Sequence, residues 1–414
     1  MPDAGEELVL DVGPVAHGGH CVARHDGQVV FVRHTLPGER VRARVTGTGG
    51  GGRFLRADAV EVLTAAPGRV PPRCPFSGPG RCGGCDFQHV ALATQRELLA
   101  DVVREQFTRL ARTDVEALLG RPVVVEPVPG DEDGLRWRTR TEFAVGPDGR
   151  PGLRVHRSHE VVPVTDCPIT DRRVVGTGVL EGDYPGLTSV DVVAPSVGEP
   201  VVVPVPAEQP VPVVHEQVGE HRFSVSARGF WQVHPGAART FVDLVGRMLQ
   251  PRTGERVLDL YAGVGLFAAG LAERVGPSGS VVAVEGDRVA VGLARENLAT
   301  WPWARARRER VDRAVATMAR RRIRVDTVVL DPPRTGAGAA VVRDVASLRP
   351  RAVAYVACDP AALARDVAAF DAHGYVVRDL RVLDAFPMTH HVECIALLEP
   401  APRGAGGRGR TGAQ

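Results

Sequence analysis

The alternation of apolar and polar positions divides the chain into regions with different periodicities. From residue 5 to about 64, short valine-rich runs are broken by glycine and proline, the pattern of a small antiparallel barrel. The region from 65 to about 235 adds several Val/Pro-rich strands and one helical pattern over Ala91 to Ala111. After residue 236, apolar strands alternate with helices, beginning with a helix around Ala237 to Leu249. This last pattern predicts a doubly wound α/β domain.

These patterns predict four segments. They are an OB-like β-barrel at 1–64, a central β-rich domain at 65–235, a Rossmann-like catalytic domain at 236–398 and a tail at 399–414. The tail carries Arg and Gly without apolar periodicity, so we expect it to be disordered. The Pro-rich stretch 200–214 predicts an edge hairpin or an extended connection. A chain of 414 residues that is 44% hydrophobic is long enough for two or three cores.

The stretch VLDLYAGVGLFAAGLA, residues 257–272, reads as a strand, a glycine turn and a helix. Gly263 and Gly265 would let backbone amides approach a ligand closely. About 20 residues later a second apolar strand ends in Glu285, where an acidic side chain typically accepts hydrogen bonds from a ribose diol. The motif is GVG without a pyrophosphate-binding loop, which favours S-adenosylmethionine (SAM) over a dinucleotide. An ordinary βα turn is the alternative interpretation.

Cys358 follows the apolar strand AVAYVA, at the end of the sheet where doubly wound folds bind ligands. A lone cysteine is more often a small buried residue, but a thiol here is a candidate nucleophile. One reaction that needs such a thiol is methylation of a pyrimidine ring. Carbon 5 of uracil is a poor nucleophile until a thiolate adds at carbon 6, and a base must later take the proton from carbon 5. Glu393, in the otherwise apolar strand VECIALL, is the candidate base. Its structural alternative is an ion pair with a nearby arginine.

A second cluster of chemistry lies in the central region. Four cysteines stand in RCPFSGPGRCGGCDFQH and TDCPIT, namely Cys74, Cys82, Cys85 and Cys167. We expect a cytoplasmic protein because the chain shows no secretory signal or membrane span, and thiols stay reduced there. Four reduced thiols indicate a metal site, and their spacing hardly separates zinc from an iron-sulfur cluster.

Charge is less informative, because the formal net charge is +2 and the chain contains no lysine. Any RNA contact must therefore come from clustered arginine, although a GC-rich genome also explains the arginine excess. Two triplets alternate onto one face of a predicted strand: Arg40, Arg42 and Arg44, and Arg136, Arg138 and Arg140. Trp137 and Phe143 fall on the opposite face of the second strand. A solvated edge strand and a plain half-buried strand are the structural alternatives.

The motifs together resemble the SAM-dependent RNA uridine-5-methyltransferases, specifically the iron-sulfur branch typified by bacterial 23S rRNA methyltransferases. Its DPPR, its Cys-x-Pro loop ending in LARD and its FPxTxHVE motif stand here at 331–334, 358–366 and 386–393. The N-terminal segment HGGHCVARHDGQVVFVRHTLPGERV resembles a TRAM domain. The resemblance covers nearly the whole chain and implies methyl transfer to carbon 5 of a uridine.

By that resemblance Cys358 is the nucleophile and Glu393 the proton acceptor. The resemblance also implies a set of residues that line the SAM pocket, namely Gln232, Tyr261, Gly263, Glu285, Asp312 and Asp331. Asp312 is the member expected to meet the adenine. The family often has Asn or Thr where this chain has Leu266, so one SAM contact is lost. The amide of Gln232 and the carboxylate of Asp331, at the junction of SAM and the uracil ring, can orient the methionine part of SAM and hydrogen-bond the uracil edge.

The resemblance further implies that the four cysteines hold a [4Fe-4S] cluster, although the gap from Cys74 to Cys82 is longer than in the commonest form of the family. RNA contacts are expected from Phe230, Arg334 and Arg138, with Phe230 either stacking on a flipped uridine or packing at a domain junction. We expect a monomer, with 23S rRNA favoured over tRNA as the substrate. The alternatives are an RNA cytosine-C5 methyltransferase and a noncatalytic iron-sulfur RNA-binding protein.

Overall fold

The computed structural model describes residues 2–402, so most of the predicted disordered tail, 403–414, lies outside the described residues. The chain forms two compact units, each built from separate stretches of sequence. The first unit contains the residues up to Glu105, Val124–Thr240 and Val382–Glu393. The second contains Gln106–Val123, Phe241–Arg381 and the residues from Cys394 onward. Among the described residues, no helix has the length and apolar character needed to cross a bilayer.

The first unit begins with a six-stranded sheet in the order β1-β5-β6-β4-β3-β2. The strands are β1 (Glu7–Asp11), β2 (Val15–Ala16), β3 (His20–His25), β4 (Gln28–Arg33), β5 (Arg40–Gly49) and β6 (Phe54–Thr64). β4 and β6 are parallel and the other pairs antiparallel. Buried side chains alternate with exposed ones along β1 and β5, because successive residues of a strand point to opposite faces. This confirms the strand pattern predicted for the N-terminal region.

The middle of the chain supplies one long helix and a second sheet. The elements are α1 (Leu92–Gln106), a π-helical turn (Phe107–Ala111), α2 (Val115–Leu119), β7 (Val125–Pro127), β8 (Arg140–Val145), β9 (Pro151–Arg154), β10 (Val161–Pro163), α3 (Arg172–Val175), a 3-10 turn (Val179–Glu181), β11 (Ser189–Val193), β12 (Val201–Val205), β13 (Val213–Val218) and β14 (His221–Ser226). The second sheet has the order β10-β9-β8-β11-β12, and β13 pairs with β14 as a hairpin. The Pro-rich stretch 200–214 does not form an edge hairpin: it begins with the edge strand β12 and continues as a connection to β13. Proline is tolerated at a sheet edge because it cannot donate to a ladder.

The second unit is a doubly wound domain. Its elements are α4 (Ala237–Leu249), β15 (Arg256–Leu260), α5 (Leu266–Val275), β16 (Ser280–Glu285), α6 (Arg288–Asn297), β17 (Ala304–Arg308), α7 (Val311–Arg320), β18 (Thr327–Leu330), α8 (Ala339–Ser347), β19 (Ala352–Ala357), α9 (Pro360–Asp371), β20 (Tyr375–Asp384) and β21 (Glu393–Pro400). The strands lie in the order β17-β16-β15-β18-β19-β21-β20. β15 to β19 are parallel, and β21 runs antiparallel to β19. The chain reverses its direction of winding between β15 and β18, where such folds bind ligands.

The compact units differ from the predicted segment boundaries in two places. The π-helical turn after α1 packs against α9, which groups residues 106–123 with the second unit. Conversely, residues 382–393 group with the first unit, where β7 pairs in parallel with Val382–Asp384. β21 also continues to Pro400, two residues past the predicted end of the catalytic domain. These differences arise from contacts between distant parts of the sequence, which a periodicity cannot register.

Candidate active site and cysteine cluster

The glycine turn predicted to hold a cofactor lies directly after β15. Tyr261 adopts a left-handed backbone with φ of 62°, and Gly263 and Gly265 follow with φ of 53° and 89°. A non-glycine residue in this region costs about 1 kcal/mol or more, and such strain is typical of ligand-binding turns. A Cβ added at Gly263 would meet nothing within 4 Å, so the backbone faces open space there. The turn therefore lets a ligand approach its backbone closely at Gly263.

Glu285 ends β16 and is joined to the turn by a hydrogen bond. The Gly263 N–H donates to Glu285 Oε2 at 3.0 Å, and the Asp287 N–H donates to Oε1 at 2.8 Å. An ionised carboxylate has about four lone-pair sites, so two backbone donors leave capacity for two hydroxyls. The side chain is half-buried at the open end of the sheet. This is the arrangement that accepts a ribose diol.

Two further acids belong to this unit, Asp259 within β15 and the partly buried Asp331 directly after β18. Asp259 is fully buried, and one of its oxygens accepts from the Ala268 N–H in the first turn of α5 at 2.9 Å. Burial raises its pKa to about 8, and the charges of Asp331 and Glu285 add to the rise. Burial also raises the pKa of Asp331. The raised pKa of Asp259 favours its protonated form at neutral pH, because an apolar interior disfavours the charged form.

The remaining predicted cofactor residues of the second unit are more exposed. Burial raises the pKa of Tyr261 to about 12, with the charge of Asp312 adding to the effect, so its hydroxyl stays protonated. Asp312 is exposed at the start of α7 and pairs with Arg310 at 2.9 Å. Leu266 is buried and begins α5, so it contributes packing rather than a polar contact. Arg334 is exposed.

Cys358 lies between β19 and α9 and is half-buried. The sequence favours a helix start here, since Asp359 caps the helix by accepting from the Ala362 N–H at 2.7 Å and Pro360 occupies the first turn. The partial positive charge at the beginning of a helix stabilises an anion. A thiolate at position 358 would benefit from this charge, while the neighbouring Asp359 opposes it.

A buried network holds the loop between the DPPR motif and α8. Asp366 on α9 accepts from the Tyr355 hydroxyl at 2.5 Å, from the Ala337 N–H at 2.7 Å and from the Gly338 N–H at 3.2 Å. Burial, followed by the charge of Asp366, raises the pKa of Tyr355 far above its ordinary value, so the phenol remains a donor. Asp366 is the last residue of LARD, and its role in this network was not foreseen from the sequence.

Other predicted residues belong to the first unit. Glu393 is buried at the start of β21. Gln232 and Trp231 are buried, and Trp231 packs against Phe223 with ring centroids 5.5 Å apart. Phe230 is instead 73% exposed. Phe230 is therefore not part of the core of the first unit.

All four cysteines of the predicted metal site lie in the first unit and are buried, and none is in a disulfide. Burial raises the pKa of Cys85 and Cys74 and raises that of Cys82 to about 11, and the thiols also act on one another. The Gly84 N–H donates to Cys82 Sγ at 3.4 Å, and Gln88 Nε2 donates to Cys85 Sγ at 3.5 Å. Hydrogen bonds to sulfur are a common feature of iron-sulfur sites.

The donor set therefore fits a soft metal group, but not in the geometry of a single ion. In residues 2–402, no group of three or more His, Cys, Asp or Glu side chains could hold one metal ion. Zinc would gather four sulfurs within about 2.3 Å of one centre. Thiolates also hold iron-sulfur clusters, so the four buried thiols have the donor chemistry for either group.

The predicted arginine surfaces are largely neutralised by ion pairs. The first triplet pairs across the first sheet: Arg40 with Asp11, Arg42 with Glu61 and Arg44 with Glu7. In the second triplet, Arg136 pairs with Asp166 and Arg140 with Glu216, while Arg138 Nε donates to the carbonyl of Arg140. The strand prediction also needs correction, since β8 begins only at Arg140.

In the described part of the chain, one unit contains the turn after β15, Glu285, Asp259 and Asp331. The other unit contains the four cysteines. The doubly wound sheet, with its glycine turn held by an acid at the end of the second strand, defines the class of this domain as a Rossmann-like SAM-dependent methyltransferase.

Comparison with known proteins identifies the family. A family model for tRNA (uracil-5-)-methyltransferases matches residues 213–401, and a TRAM domain model matches residues 4–60. An uncharacterized RNA methyltransferase of Streptomyces coelicolor is 47% identical, with 97% of this chain and 94% of that protein covered. The chain therefore belongs to the RNA (uracil-5-)-methyltransferase family and is a SAM-dependent RNA methyltransferase.

Two further relatives have described substrates. A 23S rRNA (uracil(1939)-C(5))-methyltransferase of Alkalilimnicola ehrlichii is 32% identical, covering 95% of this chain and 97% of that protein. The crystal structure of a Pyrococcus abyssi tRNA (uracil-54, C5)-methyltransferase, in complex with S-adenosyl-L-homocysteine, has a TM-score of 0.69 at 21% identity. The match covers 94% of this chain and 100% of that one. The structural likeness confirms the fold predicted from the sequence.

Proposed function

We propose that this chain methylates carbon 5 of a uridine in structured RNA, with 23S rRNA as the favoured substrate. The observation that carries the proposal is Cys358 at the carboxyl end of β19, in the domain that holds the cofactor turn. The preference for 23S rRNA over tRNA rests on the relatives. The 23S rRNA enzyme is more similar in sequence than the tRNA enzyme, and both are matched over nearly their full length.

In the proposed reaction, the Cys358 thiolate adds to carbon 6 of the uracil, forming a carbon–sulfur bond and an enolate at carbon 5. SAM supplies an electrophilic methyl group. Carbon 5 takes this methyl, and S-adenosylhomocysteine leaves. Glu393 removes the proton from carbon 5, and the electron pair restores the double bond and expels the thiolate. Every proton and electron pair is accounted for without an oxidant or a reductant.

The cofactor residues follow from the described geometry. Glu285 would accept hydrogen bonds from the ribose, and the backbone at Gly263, which carries no side chain and faces open space, would let the ligand approach closely. Asp312 at the start of α7 would meet the adenine. Asp331 at the end of β18, together with Gln232, would orient the methionine part and the uracil edge.

RNA binding has a separate support within the first unit. A cavity of ≈ 690 Å³ lies against the first sheet and is lined by Arg33, Arg56 and Arg157 among other residues. Burial lowers the pKa of Arg157, and the charges of Arg56 and Arg33 lower it further. Such crowding of like charges is relieved by an anion.

The same cavity carries an aromatic surface. Phe31 lies 5.0 Å from Phe54 between ring centroids, and the Arg56 guanidinium is 5.1 Å from the Phe54 ring centre. Arginine and aromatic rings together bind phosphates and unstacked bases. We propose that RNA occupies this cavity, which includes Arg44 of the predicted triplet on β5 together with arginines outside that triplet.

We also propose that Cys74, Cys82, Cys85 and Cys167 hold a [4Fe-4S] cluster. The support is their common burial and the hydrogen bonds that reach Cys82 and Cys85. Anaerobic purification followed by iron and acid-labile sulfide analysis tests this directly. About four of each per chain is expected, whereas one zinc per chain would overturn it.

The function is tested with RNA from a strain that lacks the gene and from its parent. The purified 23S rRNA and tRNA pools are digested, and 5-methyluridine is measured by mass spectrometry. We expect a loss from 23S rRNA that is restored by the wild-type gene but not by Cys358→Ala. Loss from tRNA alone would overturn the choice of substrate. In vitro, failure of the purified protein to methylate either unmodified pool would overturn the proposed activity.

A further inference from the structure

The segment that carries the proposed base is anchored to the cysteine-rich loop. We call residues 386–393 the base segment and residues 82–88 the cysteine-rich loop; both lie in the first unit. The N–H groups of Asp86 and Phe87 both donate to the carbonyl of Met388, each at 3.0 Å. The Met388 N–H in turn donates to Gln95 Oε1 at 2.9 Å. Residues about 300 positions apart are thus joined by two backbone–backbone hydrogen bonds and by further bonds from backbone N–H groups to side chains.

Asp86 makes the central side-chain contact of this connection. Its Oδ2 accepts from the His390 N–H at 3.1 Å and lies 2.6 Å from His390 Nδ1. Its Oδ1 lies 3.5 Å from a nitrogen of Arg33. Asp86 is buried, so these bonds are protected from water. A carboxylate that accepts two hydrogen bonds from one residue fixes both the backbone and the ring of that residue.

The base segment needs such anchoring because its conformation is strained. Met388 has φ of 68°, in the left-handed region that a methionine rarely adopts. Such a residue persists only when its surroundings determine its conformation. Met388 also packs in a buried apolar cluster with Cys85, Cys167, Trp137 and Ile169. The cysteines and the base segment therefore share one core.

Glu393 follows His390 by three residues and begins β21. From this geometry we infer that Asp86 is a positioning residue for proton removal. It holds the base segment so that Glu393 reaches the proton on carbon 5. The inference rests on the proposed function of Glu393. The cysteine-rich loop, through Asp86, thus acts in proton removal, the last step of the reaction. It does not act in nucleophilic addition or methyl transfer.

The two halves of the reaction can be measured separately. Unmodified 23S rRNA with tritium at carbon 5 of uridine is mixed with full-length protein and methyl-labelled SAM. The amount of methylated covalent adduct is measured as methyl label that stays with the protein on a denaturing gel after nuclease treatment. The rate of proton removal is measured as tritium released to water. A merely structural defect slows both signals together. A misplaced base slows only the release and lets the adduct accumulate.

We expect Asp86→Ala to form the adduct within about threefold of the wild-type rate and to release tritium about tenfold or more slowly, since small misplacements of a reacting group cost such factors. Asp86→Asn keeps one acceptor oxygen, so its rate of tritium release should lie between those of the wild type and Asp86→Ala. This variant replaces the alanine variant in the test if the alanine variant folds poorly. The matched control is Glu39→Gln, which alters a carboxylate equally buried in this unit that binds Arg69. It should change adduct formation and release in equal proportion.

Two reference variants separate this inference from the function on which it rests. Cys358→Ala should give no adduct, and Glu393→Gln should accumulate it. If Glu393→Gln accumulates adduct while Asp86→Ala slows both signals equally or leaves both unchanged, the positioning role is overturned and the proposed function stands. If Glu393→Gln accumulates none, the assignment of the base is wrong, and the role of Asp86 is overturned with it.

Discussion

Replacing Phe230 with alanine should separate RNA recognition from stability. The side chain is 73% exposed, so its removal creates no cavity and should change the free energy of unfolding by only about 0.5 kcal/mol. Stacking of a base on an aromatic ring is worth about 1–3 kcal/mol by alanine substitution. If Phe230 stacks on a base of the substrate, kcat/KM for RNA should fall by roughly 5-fold to 150-fold. The affinity for SAM should not change.

The assay is methyl incorporation into unmodified 23S rRNA at several RNA concentrations, with thermal unfolding measured on the same samples. Phe230→Tyr keeps the ring and should retain most of the activity. Val202→Ala, which shortens another exposed apolar side chain of the same unit, is the matched control and should behave as wild type. If Phe230→Ala has kcat/KM within twofold of wild type, the ring does not stack on RNA and the reasoning from its exposure is refuted.

Four other variants probe stability, pH dependence and RNA affinity. Asp366→Ala leaves the Gly338 N–H and the Tyr355 hydroxyl without their acceptor, while the Ala337 N–H keeps the Tyr355 oxygen. Chemical denaturation should therefore show a loss of about 2 kcal/mol, and a loss below about 1 kcal/mol would contradict the network. The pKa of Asp259 is raised, so between about pH 4 and pH 8 the folded state holds a proton that the unfolded state releases. The contribution of Asp259 to stability is therefore fully present below about pH 4 and is lost as pH rises towards 8. Asp259→Asn should therefore stabilise the SAM-free protein by about 2 kcal/mol at pH 8 and by less at pH 5, and an equal effect at both would refute the assignment. Arg56→Ala and Arg157→Ala should each weaken RNA binding and lower the slope of log affinity against log salt by about one in filter-binding titrations; an unchanged slope would exclude the cavity as an RNA site.

Much of the fold follows from periodicity and turn chemistry. The strands of the first sheet and the alternation of strands and helices after residue 236 both match the apolar pattern. Helix α4 has the predicted bounds, because its apolar face has the helical period and a glycine precedes it. The glycine turn and Glu285 were also predictable, since a βα turn and an acid at the end of the next strand form a local signature.

The sequence is less informative about which charged groups face one another. Arg40, Arg42 and Arg44 alternate as predicted, but their partners come from β1 and β6, which no local pattern specifies. The bond between Asp86 and His390 joins positions separated by 304 residues. Burial is the main cause of the raised pKa of Asp259, and the charges of Asp331 and Glu285, which belong to other parts of the sequence, add to it. Pairing across sheets is a property of the tertiary fold.

The path of the chain through the two units has a consequence for how this protein can be inherited or re-engineered. The chain changes unit five times, and the stretch Val382–Glu393 belongs to the first unit although both its flanks belong to the second. A gene fragment that begins at residue 236 would encode the cofactor turn and Cys358 but would omit the loop that anchors its own base. Recombination must therefore transmit the chain whole, because even the N-terminal sheet contacts the cysteine-rich loop through Arg33 and Asp86.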